Sequence, residues 1–219
     1  MAHRYKYEIC GMGLLIVAAT KLEIAPFLAT NYKVDVLITG VGIPATIFNL
    51  NQKLAQTKYD LVIQAGIAGT FKGTFEKSDI VIIEEDTFAD IGVDEIGNFR
   101  TIFEIGFADE NEFPYKSGWL KNEQKILKKT NLPIAKAITV NKITDDEKQL
   151  NQLKDKFNAD VESMEGAAFH YVCLQHKINF LQLRSISNKV GERDKAKWKM
   201  EEAISSLNAA LKRLIENFR

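Results

Sequence analysis

The sequence contains few of the residues that form redox or metal sites. Among 219 residues it has two cysteines, Cys10 and Cys173, and three histidines, His3, His170 and His176. The cysteines lack the close spacing of a redox or zinc motif, and no two histidines stand four residues apart, as helical zinc ligands often do. We therefore expect reduced thiols and no metal site.

The chain also lacks an excess of charge of either sign. Its 29 basic residues balance its 29 acidic ones, so nothing in its charge favours nucleic acid or an anionic membrane as a partner. No stretch reaches the roughly 20 apolar residues of a membrane-spanning helix. The apolar run at residues 10–20 follows Arg4 and Lys6 and is similar to a signal peptide, but residues 14–18 also fit a buried strand. We favour the strand and expect a cytoplasmic protein.

Short runs of Val, Ile and Leu alternate with amphipathic segments along the chain. Strands are predicted at residues 14–18, 34–39, 60–65, 79–84, 134–140 and 180–187. Helices are predicted at residues 22–29, 45–56, 123–129, 145–157, 163–175 and 196–218. The pattern predicts a three-layer α/β/α sandwich with a central mixed, mostly parallel sheet. We expect one domain over residues 1–219, with 1–12 as a flexible extension, and either a hairpin or a long loop at 88–118.

Two glycine-rich turns follow predicted strands. Residues 39–42 read Thr-Gly-Val-Gly and residues 64–69 read Gln-Ala-Gly-Ile-Ala-Gly. Ligands of such sheets bind at the carboxyl ends of the strands, and glycine lets the backbone approach a ligand closely. Either turn alone is weak evidence of a site. Together they would leave room for a flat ligand between neighbouring strand ends.

An acidic segment precedes an apolar helix at residues 161–173. Apolar residues recur at helical spacing from Met164 onward. We place Glu162 and Glu165 in the first turn of this helix, where the helix dipole favours carboxylates. By itself this pattern is more typical of ordinary helix capping than of a functional site.

Five segments in order carry a family resemblance: residues 39–42, 64–69, 77–81, 161–168 and 184–188. They resemble motifs of the purine nucleoside phosphorylase and nucleosidase superfamily, and the likeness extends from about Leu14 to Phe218. Within the superfamily, the segments Glu-Ser-Met-Glu-Gly and Ile-Ser-Asn-x-Val-Gly-x-Arg-Asp are most similar to those of the futalosine hydrolases, nucleosidases of menaquinone biosynthesis. The resemblance implies a purine nucleoside substrate, no metal or organic cofactor, and a homodimer or larger homo-oligomer.

The resemblance also indicates whether water or phosphate is the nucleophile. Related phosphorylases hold phosphate with an arginine at the position of Gln64, a serine near Ile67 and another arginine after the first strand. Here that last loop reads Ala-Ala-Thr-Lys at residues 18–21. Since phosphate normally requires several charge-assisted donors, we expect hydrolysis. The resemblance then assigns Glu23 as the general base for water.

The remaining roles concern the sugar and the leaving base. Glu165 would accept hydrogen bonds from the ribose 2′- and 3′-hydroxyls, and Met164 would pack on the sugar. Related enzymes that release adenine carry aspartate at the position of Asn188. The asparagine NH₂ would instead donate to O6 while its carbonyl accepts from a protonated N7, which favours a 6-oxopurine.

Further substrate contacts are expected from positions bordering the same strand ends. They are Gly42, Gly66, Ile67, Thr139, Ile143 and Phe88. For Thr139 and Phe88 a purely structural role is equally open. We interpret Arg184 as a buried partner in a structural ion pair, and Trp198 as a residue that fixes the loop after Asn188.

The predicted reaction is hydrolysis of futalosine to hypoxanthine and dehypoxanthine futalosine. Other nucleosidase reactions remain open, on inosine or on methylthioadenosine and S-adenosylhomocysteine. A non-catalytic nucleoside-binding protein on the same fold is a further alternative.

Overall fold

The computed structural model describes residues 13–71 and 73–218, so the predicted extension at 1–12 lies outside the described residues. The strands are β1 (Leu14–Ala18), β2 (Asp35–Ile38), β3 (Leu61–Thr70), β4 (Ile80–Phe88), β5 (Gly92–Glu95), β6 (Asn98–Thr101), β7 (Leu120–Lys121), β8 (Ile134–Thr139), β9 (Val161–Ser163) and β10 (Phe180–Lys189). The helices are α1 (Ala25–Leu28), α2 (Ile43–Gln56), α3 (Glu147–Phe157), α4 (Gly166–Gln175) and α5 (Met200–Asn217).

The main sheet is mixed and mostly parallel, as predicted. Its strands follow the order β10-β4-β8-β9-β3-β1-β2, and β10 also pairs with β3, which closes five strands into a ring. The pairs β10–β4, β3–β9 and β4–β7 are antiparallel, and the other pairs of this sheet are parallel. Strand β3 therefore has β1 and β10 on its two sides, and β9 replaces β1 at its carboxyl end.

Alternation along β1 shows how the sequence builds three layers. Leu14, Ile16 and Ala18 pack in one apolar cluster with residues of α5 such as Leu207. Leu15 and Val17 pack on the opposite face in a second cluster with residues of α2 and α4. A strand covered on both faces has to be apolar at every position, and β1 is.

The predicted helix at 163–175 is wrong at its start. Residues Val161–Ser163 form β9, α4 begins only at Gly166, and Glu165 is its N-cap residue. Glu162 is therefore a strand residue and not a first-turn helix residue. The cause is tertiary, because these three residues fill the gap between β8 and the end of β3.

Other predicted elements are shorter or longer than expected. The helix predicted at 123–129 is wrong, because only the 3₁₀ turn Leu127–Lys129 forms there. The last helix begins at Met200, after a separate 3₁₀ turn that Asp194 caps. The region at 88–118 contains both alternatives, the hairpin β5–β6 and an irregular loop. In the part of the chain that the structure describes, no helix is long and apolar enough to cross a bilayer.

A buried asparagine joins α5 to the loop after β1. Asn208 Nδ2 donates to the carbonyl oxygen of Glu23 at 2.8 Å, and Asn208 Oδ1 accepts from the backbone N–H of Phe27 at 2.9 Å. Asn208 is 1% exposed, so water cannot replace these bonds. The long helix therefore fixes the backbone at Glu23.

We expect Asn208→Ala to destabilise the protein. The buried Glu23 carbonyl would lose its Asn208 donor, at a cost of about 1–3 kcal/mol, which corresponds to about 2–4 °C per kcal/mol in melting temperature at this chain length. Thermal unfolding followed by circular dichroism measures the change. Ser205→Ala, an exposed position on the same helix, is the control. Equal melting temperatures for both variants would contradict this role of Asn208.

Candidate active site

A cavity of about 290 Å³ opens at the carboxyl ends of the central strands. The loop after β1, the end of β3, the turn after β9 and the end of β10 form its walls. Parallel strands β1, β3 and β10 end at the same edge of the sheet, where ligands of open α/β folds usually bind. The cavity is therefore the first candidate for an active site.

Glu23 lies in this wall, held by three hydrogen-bond donors. Its Oε2 accepts from the backbone N–H and the hydroxyl of Thr20, both at 3.0 Å, and its Oε1 accepts from the N–H of Ile67 at 3.2 Å. The side chain is only 8% exposed. Two carboxylate oxygens offer about four acceptor sites, so this fixed carboxylate retains capacity for one further donor.

Glu165 faces the same cavity from the N-terminus of α4. Its Oε1 accepts from the N–H of Gly42 at 2.9 Å, which joins the turn after β9 to the turn before α2. Gly42 has a φ of 91°, a value that glycine adopts without strain. Burial raises the pKa of Glu165 above its ordinary value, while the charge of Arg184 and the bond from Gly42 act in the opposite direction.

Arg184 lies beneath the cavity floor and does not line it. Its Nη2 donates to Gln64 Oε1 at 2.9 Å, and its guanidinium also reaches Ser163 Oγ and the carbonyl of Ile67, both at 3.4 Å. The predicted structural ion pair is wrong, since within residues 13–71 and 73–218 no carboxylate forms a salt bridge with Arg184. Gly66 makes this packing feasible, because a Cβ there would overlap the guanidinium.

Asn188 has a defined amide orientation. Its Oδ1 accepts from the hydroxyl of Ser187 at 2.7 Å, and its Nδ2 donates to the carbonyl of Lys189 at 2.8 Å. An amide oxygen has two lone pairs and an amide nitrogen two protons. Each end of the Asn188 amide thus keeps one site for a ligand, one as acceptor and one as donor.

Six of the predicted site residues line this one cavity. They are Glu23, Ile67, Ile143, Met164, Glu165 and Asn188. Gly42 and Gly66 lie behind the wall, where Gly42 binds Glu165 and Gly66 makes room for Arg184. Distant parts of the sequence are thus brought together as the motifs indicated.

Phe88 and Thr139 do not line the cavity of this chain. The ring of Phe88 packs in an apolar cluster with residues such as Leu120. The Thr139 hydroxyl donates to Asp86 at 3.0 Å and accepts from the N–H of Ala167 at 2.7 Å, which anchors the start of α4. The structure therefore gives both residues packing roles within this chain, and their contacts with substrate stay predictions.

Sequence reasoning missed part of the wall. Trp198, Met200 and Ile204 form an apolar side of the cavity. Trp198 does fix its loop, because its Nε1 donates to the carbonyl of Glu192 at 2.9 Å, but it also lines the cavity. A polar residue that was missed is Glu162, whose place beside the cavity follows from the unpredicted strand β9. Among the described side chains, no group of three His, Cys, Asp or Glu is arranged to hold a metal ion.

Comparison with known proteins assigns the family. A sequence model described as the phosphorylase superfamily matches residues 19–216. The chain belongs to the phosphorylase superfamily. It is 30% identical over 187 residues to a futalosine hydrolase of Thermus thermophilus, a match that covers 82% of this chain and 80% of that protein.

The enzyme class follows from these superfamily relatives. The chain is 28% identical over 167 residues to a 5′-methylthioadenosine/S-adenosylhomocysteine nucleosidase of Haemophilus ducreyi, covering 72% and 68% of the two chains. An S-adenosylhomocysteine nucleosidase structure from Streptococcus pyogenes matches with a TM-score of 0.80 at 16% identity, over 97% of this chain and 100% of that chain. This superfamily member is thus an N-glycosidase of the nucleosidase type, and its fold is the predicted one.

Proposed function

We propose that this nucleosidase hydrolyses the N-ribosidic bond of a 6-oxopurine nucleoside, and that futalosine is its substrate. The products would be hypoxanthine and dehypoxanthine futalosine. The observation that carries the proposal is the asparagine at position 188, whose amide keeps one donor and one acceptor free at the cavity. The Thermus thermophilus futalosine hydrolase among the relatives supports the choice of substrate.

The charges of the cavity support water as the nucleophile. Its wall contains four glutamates, which are Glu23, Glu162, Glu165 and Glu192. None of the described residues that line it is a lysine or an arginine. Glu192 is paired with Lys197 at 3.1 Å, but Glu23 and Glu165 would repel a phosphate ion, which would find no cationic donor in the cavity wall. A neutral water molecule meets neither obstacle, and Glu23 would accept its proton as it attacks the anomeric carbon.

The sugar would be held by the residues of the turn after β9. Glu165 is fixed by Gly42 and would accept hydrogen bonds from the ribose 2′- and 3′-hydroxyls. As positive charge develops on the ribose, an anionic acceptor binds it more strongly than in the ground state. The adaptable thioether of Met164 would pack against the sugar.

Asn188 would serve the leaving base. As the bond breaks, the purine gains electrons and takes up a proton from solvent at N7, which balances the proton that Glu23 accepts from the attacking water. The Asn188 carbonyl would accept from that N7–H while its NH₂ donates to O6. An N7-protonated 6-aminopurine presents two donors instead, so the asparagine NH₂ would lose its partner at a cost of about 1–3 kcal/mol.

The apolar side of the cavity fits a bulky 5′ substituent. Trp198, Met200 and Ile204 offer an aromatic and aliphatic wall against which the aryl tail of futalosine would pack. Val41 at the cavity and Phe48 on α2 are 57% and 67% exposed. We propose a homo-oligomer, as the family resemblance implies, and these exposed side chains would be available for such a contact.

A second candidate is an adenine-releasing nucleosidase. The observation in its favour is the similarity to the Haemophilus ducreyi nucleosidase, which is nearly as high as that to the futalosine hydrolase. Asn188 favours the 6-oxopurine over this alternative.

A chromatographic assay of purified protein tests the proposal. The substrates are futalosine, inosine and methylthioadenosine, each with and without phosphate. We expect hypoxanthine release from futalosine at a rate that phosphate does not change. Release of adenine from methylthioadenosine alone would support the second candidate. Turnover that requires phosphate would contradict the role of water, and binding without any turnover would indicate a nucleoside-binding protein.

The Asn188→Asp variant tests the recognition of the base. Aspartate loses the NH₂ that donates to O6, so we expect kcat/KM for futalosine to fall about tenfold or more, with a gain in adenine release from methylthioadenosine. Asn51→Asp, an exposed change on α2, controls for the added charge. Unchanged selectivity between the two substrates would contradict the assigned role of Asn188.

A further inference from the structure

Glu162 is a buried carboxylate without a complete set of hydrogen bonds. It is 6% exposed, lines the cavity from β9, and its Oε2 has no hydrogen-bond partner among the described residues. Burial, with a smaller effect from the charge of Asp90, raises the pKa of Glu162 to about 7. A buried acceptor without a partner is costly in a folded protein. A ligand donor in the cavity would remove that cost.

The strand register places Glu162 opposite Asn188. Gly69 of β3 pairs with Glu162 on its β9 side and with Asn188 on its β10 side. Because neighbouring strands lie about 4.8 Å apart, the Cα atoms of Glu162 and Asn188 are separated by roughly 10 Å. Both residues line the same cavity, so a carboxylate and an amide face one another across a single residue.

Gly69 keeps the space between these two residues free of a side chain from β3. A Cβ at this position would lie 3.0 Å from Val190 Cγ2 and 3.4 Å from Asn188 Nδ2, so a larger residue would press on Val190 and on the Asn188 amide. Glycine thus leaves the Asn188 amide unobstructed at the cavity that Glu162 also lines. A planar heterocycle in this cavity would meet both groups along one edge.

The edge of a 6-oxopurine carries the complementary groups in order. O6 accepts, N7 accepts until it is protonated, and N1–H, on the other side of O6, donates. If Asn188 binds N7 and O6, the N1–H is the donor on this edge that still lacks a hydrogen-bond partner. In a 6-aminopurine, N1 is instead an acceptor, and its lone pair would face the carboxylate oxygen.

We propose that the carboxylate of Glu162 accepts a hydrogen bond from N1–H of the purine and that Glu162 and Asn188 together select 6-oxopurines. The inference rests on the proposed function and adds a second specificity-determining residue to it. Charge-assisted bonds of this kind are about twice as strong as neutral ones. Glu162 acts on the choice of base, whereas Glu23 acts on water and Glu165 on the sugar.

The test uses free bases, whose affinities measure recognition of the purine by Glu162 and Asn188 without catalysis. Binding of hypoxanthine, 1-methylhypoxanthine and adenine is measured by calorimetry. The wild-type protein is expected to bind hypoxanthine at least about tenfold more tightly than 1-methylhypoxanthine, which lacks the N1–H donor. Equal affinity for these two bases in the unaltered protein would overturn the proposal without any variant.

Two variants refine the test. Glu162→Leu should reduce hypoxanthine affinity about tenfold or more and abolish the preference over 1-methylhypoxanthine. Glu162→Gln should improve adenine binding, because its NH₂ donates to N1. Glu202→Gln, exposed on α5 and outside the cavity, should match wild type. An unchanged preference for hypoxanthine in both Glu162 variants would overturn the proposal.

Turnover of futalosine separates this inference from the proposed function. If wild type and Glu162→Leu release hypoxanthine with equal kcat/KM, the 6-oxopurine hydrolase stands and the role of Glu162 is refuted. If the wild-type protein neither hydrolyses futalosine nor binds hypoxanthine, both are refuted.

Discussion

The site depends on the pairing of one strand, β3, with different partners along its length. Over its first half β3 pairs with β1 and β10, and at its carboxyl end β9 takes the place of β1. Because β1 and β9 pair with different parts of β3, a gap remains between these two strands, and the loop that carries Glu23 lies there. This pairing also places Gly69 between Glu162 and Asn188. The cavity and the positions of its polar groups thus follow from backbone pairing, which the apolar clusters on both faces of the sheet hold in place.

Electrostatics then determine what the cavity can bind. Glu23 and Glu165 repel one another across this small volume, and their charges also repel anions. Arg184, which is buried under Gly66 and held by neutral groups such as Gln64, partly offsets the rise in the pKa of Glu165, whereas Glu192 is paired with Lys197 at 3.1 Å. The result is a cavity suited to a neutral nucleoside whose ribose becomes positively charged as the bond breaks. An anionic nucleophile such as phosphate is disfavoured by the same charges.

The sequence predicted the parts of this arrangement that depend on local patterns. The bounds of β1, the apolar faces of α2 and α5, and the glycine turn at residues 39–42 can each be read from a few neighbouring residues. The turn predicted at residues 64–69 is wrong, because these residues continue β3 as far as Thr70. Strand β9 could not be read in this way, because three residues are too few to show a strand period, and their conformation is set by β8 and β3. For the same reason the sequence predicts Glu162 in a helix. It predicts an ion pair for Arg184 because no local pattern shows that Gln64 and Ser163 will be its partners. For Phe88 and Thr139 the sequence leaves packing and substrate contact open, because only the folded structure shows which groups their side chains contact.

The proposed hydrolysis depends most on Glu23, the carboxylate fixed by Thr20 and Ile67, which would activate water. The most direct measurement is the turnover of futalosine by Glu23→Gln, made beside its affinity for hypoxanthine. The amide is too weak a base to accept the proton from water, so turnover should fall about a hundredfold or more. Hypoxanthine affinity close to wild type would show that the cavity survives the change. A variant with intact binding that kept more than about a tenth of wild-type turnover would contradict the account.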